Sequence, residues 1–159
     1  MPQLVKGGKH VFGWARIGLA GRICIPPEAL SEYGFSSGDE LIVIPGSRTS
    51  GGFGLTLLQV LSGSPLGAGL AACPDPREFR AGEGEIVAHR GRPHCRVRLR
   101  AGVFALPPET LKAFGAEPGG RLLVVRGSGL ALGFIARGPI VAAARKHPEL
   151  EEFLPPSRV

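Results

Sequence analysis

Cysteine is scarce: Cys24, Cys73 and Cys95 are the whole complement. An odd number at wide, irregular spacing supports neither a disulfide framework nor a four-ligand zinc site. His89 and the His94-Cys95 pair could be argued as metal ligands, but adjacent residues of a strand point to opposite faces, so no metal or other cofactor is expected. Aromatic residues make up only 6% of the chain. No stretch reaches the roughly 18 apolar residues that span a bilayer. The opening MPQLVKGGKHVFGW carries charge but no apolar core of signal-peptide length, so a cytoplasmic protein without membrane contact is expected. Catalytic patterns are missing too. There is no Ser-His-Asp set, H-E-x-x-H, nucleophile elbow or carboxylate pair, and His10, His89, His94 and His147 converge on no motif. The chain does not read as an enzyme.

What the chain has in quantity is glycine, 25 residues, and proline, 15, in a length of 159. That composition suits many short strands joined by tight turns. It also has an internal repeat, which fixes the architectural unit before any residue is given a role. GRICIPPEALSEYGFSSGDELIVIPGS, from Gly21 to Ser47, returns without a gap as GVFALPPETLKAFGAEPGGRLLVVRGS, from Gly102 to Ser128. Gly21, Pro26, Pro27, Glu28, Leu30, Gly34, Gly38, Leu41, Val43, Gly46 and Ser47 all fall on identical residues. Two copies are too few for a solenoid, so a duplicated small domain is expected.

Each copy translates element by element. Ile23 to Ile25 is a short apolar run closed by Pro26-Pro27, which lack an amide hydrogen for a sheet and pre-set the first turn of a helix. Glu28 suits the positive end of that helix. Ala29, Leu30 and Tyr33 give it an apolar side, and Gly34 stops it in a left-handed conformation. Ser37-Gly38-Asp39 is a tight turn, after which Leu41 to Ile44 form a strand ended by Pro45-Gly46. Arg48 to Gly54 reads as a hairpin tip about seven residues longer than its counterpart. A phosphate cradle there would need a G-x-x-x-x-G-K-[ST] or G-x-G-x-x-G pattern, which is lacking.

Gly21-Arg22-Ile23-Cys24-Ile25-Pro26, Gly34 and Gly38-Asp39-Glu40-Leu41 together resemble the AbrB/MazE/SpoVT family of swapped-hairpin barrels. Residues 14 to 60 cover one such domain and residues 95 to 136 a more divergent second. The resemblance implies a mostly β fold with short helices, in which two units interleave their hairpins into one barrel. With both units in one polypeptide, it implies an intramolecular pseudo-dimer. It further implies transcription regulation by binding double-stranded DNA, with Arg22 keeping the arginine of the family's Gly-Arg turn. The helix positions, Leu30, Ser31 and Glu32 in one copy and Leu111, Lys112 and Ala113 in the other, do not match the family's arginines, and Val103 stands where Arg22 would be.

The duplication extends past the barrel motif. Pro65 to Phe79 lines up with Pro139 to Phe153, so each unit is expected to carry an accessory helix and a short acidic-aromatic end. Residues 1–79 are read as the first unit, 80–94 as a linker with an extra strand at Glu85 to Ala88, and 95–159 as the second unit. Arg96, Arg98 and Arg100 alternate with Val97 and Leu99, which predicts a half-buried strand with a guanidinium face. A net charge of +6 and a pI near 9.9 suit a polyanionic partner. The expected DNA contacts are Arg16, Arg22, Arg96, Arg98, Arg100 and Lys112. A competing reading makes the chain an antitoxin-like or scaffolding module that binds a protein partner through its C-terminal helices, and those helices could also build a homodimer.

Overall fold

Glycine and proline punctuate the chain where expected. The computed structural model describes residues 10–47, 49–57, 86–89, 92–127 and 131–155. In chain order the elements are β1 (Val11–Arg16), a 3-10 turn (Leu19–Gly21), β2 (Arg22–Cys24), α1 (Pro27–Tyr33), β3 (Glu40–Pro45), β4 (Phe53–Leu57), β5 (Ile86–His89), β6 (Arg92–Arg98), β7 (Val103–Ala105), α2 (Pro108–Ala113), β8 (Arg121–Arg126), β9 (Leu132–Ile135), α3 (Pro139–Ala144) and β10 (Glu152–Phe153). The protein is mostly β with short helices, as the repeat predicts. Both Pro-Pro-Glu segments open a helix, and α1 ends on Gly34 at φ 67°. The α3 helix begins at Pro139 as expected. Its counterpart from Pro65, the Glu78-Phe79 end and Cys73 lie outside the described residues.

The strands of the two repeats pair with each other. Eight form one sheet in the order β10-β1-β8-β9-β4-β3-β6-β5, and β2 pairs with β7 in a second. Strand β1 of the first repeat lies against β8 of the second, and β6 of the second lies against β3 of the first. The two hairpins meet at β4 and β9, where Gly54 faces Gly133. Around a pseudo-two-fold axis, the Ile25 amide donates to Gly102 O at 2.9 Å and the Leu106 amide donates to Gly21 O at 3.1 Å.

The expected barrel is not closed. Each strand has two edges, and those of β1 are filled by β10 and β8 while those of β6 are filled by β3 and β5. Neither is left with an edge for the other, and the sheet ends at β10 and β5. The seven-residue insertion also needs correction. Leu41 pairs with Leu57 and Leu123 with Ile135, so the loop between β3 and β4 is longer than that between β8 and β9 by only two residues. Within it, the amides of Gly46, Gly51 and Gly52 donate to Gly52 O, Ser47 O and Phe114 O. These amides are spent on the hairpin tip itself.

Two apolar clusters hold the sheet. The larger joins the inner sides of the strands to α1 and α2 and includes Ile23, Leu41, Leu55, Val97, Leu106 and Leu111. At its centre Phe53 and Phe134 stack 4.9 Å apart, with Phe104 and Phe114 edge-on. The smaller cluster lies on the outer side of β1 and β8, where Trp14, Leu123 and Val125 pack under Val141 and Ala144 of α3 and under Leu150. Trp14 is thus a core residue. The C-terminal segment folds onto the chain's own sheet: β10 runs parallel to β1, and the Trp14 amide donates to Glu151 O at 2.9 Å.

Candidate nucleic-acid interface

Alternation along β6 sets its side chains. Cys95, Val97 and Leu99 are turned into the core, while Arg96 is half-buried and Arg98 exposed on the other side. The strand ends at Arg98, so the expected stripe is interrupted. Arg100 sits beyond it in the turn before β7, its backbone exchanging hydrogen bonds with Val103 at 2.9 and 3.0 Å. Glu40 pairs with Arg98 across the ladder. Its Oε1 accepts from Arg98 Nη2 at 3.0 Å and lies 3.8 Å from Arg96 Nη1. Glu40, Arg96, Val97 and Arg98 line a notch of about 60 Å³.

The first repeat supplies a second group. Arg16, at the end of β1, donates through Nη1 to Gly119 O at 2.8 Å and forms an ion pair with Glu152 of β10 at 2.6 Å. Arg22 follows the Leu19–Gly21 turn and is half-buried. The α2 helix, which carries exposed Lys112, lies against that turn. The six sequence-predicted residues therefore fall into two sets: Arg16, Arg22 and Lys112 on one side, and Arg96, Arg98 and Arg100 on the other. Strands β8, β9, β4 and β3 separate β1 from β6, a span of roughly 24 Å along the sheet at about 4.8 Å per strand.

The two sides are not copies of each other. In the repeat Glu40 corresponds to Arg121, and Arg121 faces Arg16 across the β1–β8 ladder as Glu40 faces Arg98. Arg16 and Arg98 are therefore equivalent, and so are Trp14 and Arg96. Two arginines directly opposite would repel. Glu152 pairs with Arg16, and the Arg121 guanidinium lies over the Trp14 ring, 3.9 Å from its centroid. Sequence reasoning missed Arg121, Glu40 and Glu152. The signal for the first two was available, since the repeat alignment sets a cation against an anion at that position.

A further charged group lies on the α1 side of the sheet. Glu32 binds Arg126 in bidentate fashion, one contact at 2.7 Å, and His10 lies 3.6 Å from Glu28. The hydrogen bond from Arg126 holds the Glu32 carboxyl below the usual range. Desolvation, followed by the charge of Arg126, pushes His10 down from its ordinary value of 6.5. Among the described residues no three His, Cys, Asp or Glu side chains gather as a metal would require, and no helix is long and apolar enough to cross a membrane.

No protein-family model matches the chain, and no curated protein or solved structure matches it.

Proposed function

We propose that the chain is a DNA-binding transcriptional regulator of AbrB/SpoVT type, non-enzymatic and cytoplasmic, built as an intramolecular pseudo-dimer whose hairpins are swapped without closing a barrel. The observation that carries this reading is the reciprocal exchange in which β1 pairs with β8 and β6 with β3. It matches the interleaving that the repeat motif implies. A net charge of +6 supports a polyanionic partner. Arg16, Arg22 and Lys112 would contact one stretch of duplex backbone and Arg96, Arg98 and Arg100 another. Glu40 and Glu152 do not remove these arginines from play, because exposed ion pairs contribute only about 0–1 kcal/mol each and a phosphate backbone competes for the same guanidinium groups. The lack of identity between the two sides argues against strict palindromic recognition.

A salt titration of duplex binding tests the reading. The parent is expected to lose affinity steeply as salt rises. Changing Arg96, Arg98 and Arg100 together to serine should weaken binding and make the log–log salt slope shallower by about 2.7, at about 0.9 per phosphate contact. Unchanged affinity in the triple variant would remove this strand from the mechanism.

A protein-binding module is the second reading. It is favoured by the ion pairs that Arg16, Arg96 and Arg98 make with carboxylates of the same chain and by the exposure of Leu19 and Leu154, 86% and 65%. Absence of duplex binding even at low salt would favour it. Val141 and Ala144 of α3 are spent on the chain's own sheet, so such a partner would meet the exposed side of that helix or these two leucines.

A further inference from the structure

One carboxylate oxygen, Glu40 Oε1, sits between two guanidinium groups, 3.0 Å from Arg98 Nη2 and 3.8 Å from Arg96 Nη1. The arrangement is built by the sheet. Arg96 and Arg98 are alternate residues of β6, so their side chains leave the same face, and the ladder places Glu40 directly opposite Arg98. Val97 lies between them with its side chain in the core at 1% exposure, fixing the backbone that carries both arginines. The notch they line is about 60 Å³. A molecule of liquid water occupies roughly 30 Å³, so the space suits one small oxyanion and excludes a base or an aromatic ring.

The geometry points to this notch as a seat for a single phosphate group, with Glu40 as its built-in occupant and competitor. The inference rests on the DNA-binding reading and deepens it: Glu40 sets how tightly the second-repeat side holds a backbone phosphate. Guanidinium groups accept carboxylate and phosphate through the same planar donor geometry, so the carboxylate marks where a phosphate oxygen sits. The pseudo-equivalent position gives an internal contrast. Arg121 replaces Glu40 there, Trp14 replaces Arg96, and Arg16 is paired instead by Glu152 from a different strand. The seat therefore belongs to one side of the molecule only.

The test uses the full chain and its Glu40→Gln variant, which keeps the side-chain shape and removes the charge. Inorganic phosphate, read by NMR shifts of the arginine side chains, and a duplex of fixed sequence are titrated into each. Glu40→Gln is expected to bind phosphate about tenfold more tightly, raise duplex affinity by a similar factor and steepen the salt slope by about 1. Adding Arg96→Ser and Arg98→Ser to that variant should abolish the gain. If Glu40→Gln unfolds at the parent's temperature yet binds phosphate no more tightly, the seat is overturned, whether or not the parent binds duplex. If it binds phosphate more tightly while neither protein binds duplex, the seat stands and the DNA-binding reading falls. Should Glu40→Gln fail to fold, Arg96→Ser with Arg98→Ser in the parent decides the matter, since equal phosphate affinity there would overturn the seat.

Discussion

Gly21 and Gly34 have almost the same backbone conformation, φ 71° and 67°, and quite different surroundings. A Cβ on Gly34 would meet nothing within 4 Å, whereas one on Gly21 would fall 1.8 Å from Leu106 O. That carbonyl belongs to the residue whose amide donates to Gly21 O, so the glycine is needed where the two repeats touch. Gly34→Ala should cost about 1 kcal/mol of conformational strain. Gly21→Ala adds a clash and the loss of that hydrogen bond to the same strain, and is expected to cost about 2–4 kcal/mol. Denaturant unfolding of the two variants checks the difference. Equal destabilisation would show that the approach of Gly21 to Leu106 is not what the glycine serves.

At the scale of elements, α1 is tied to the far end of β8 by Glu32 and Arg126, and to the start of β1 by His10 and Glu28. Because the folded state depresses the His10 pKa, it favours the neutral ring. Stability is then lost as pH falls below the ordinary value of 6.5. Glu32 and Glu149 are also depressed, so the stability they supply is present above their ordinary 4.5 and is lost as pH falls further. Thermal unfolding followed from pH 8 to pH 3 should show a first loss of stability as His10 titrates and a second below about pH 4.5. Replacing His10 by glutamine should remove the first and leave the second. A pH profile that is flat down to 5 in the parent would exclude the His10 effect.

For the whole molecule, the decisive feature is that neither repeat completes its own sheet. The first strand of each is supplied to the hairpin of the other, and Phe53, Phe104, Phe114 and Phe134 come together from both. The intact chain should unfold in one cooperative transition independent of protein concentration, since its paired halves are one polypeptide. Residues 1–79 and 80–159 made separately should each show little native structure by circular dichroism, and regain it on mixing with a midpoint that now depends on concentration. Two halves that each fold alone would contradict the exchange.

Much of this was legible from local signals. The Pro26-Pro27 and Pro107-Pro108 pairs fix where strands end and helices begin, because a residue with no amide hydrogen cannot continue a ladder, and the identity of Gly21 to Ser47 with Gly102 to Ser128 at widely spaced positions announced two equal units. The alternation of Arg96 and Arg98 with Val97 and Leu99 placed those arginines on a solvent side correctly. Hairpin length was misjudged, since Gly54 matches both Gly129 and Gly133 by type and only the ladder, where Gly54 faces Gly133, selects the second. Only the tertiary structure decided that the sheet stays open, because β10 and β5 occupy edges through backbone hydrogen bonds that any sequence can make. Tertiary contact alone likewise put Glu40 between Arg96 and Arg98, and Glu152 on Arg16. Residues 58 and 136 positions apart in the chain meet only when strands pair, and charge pairing across strands leaves no period in a sequence.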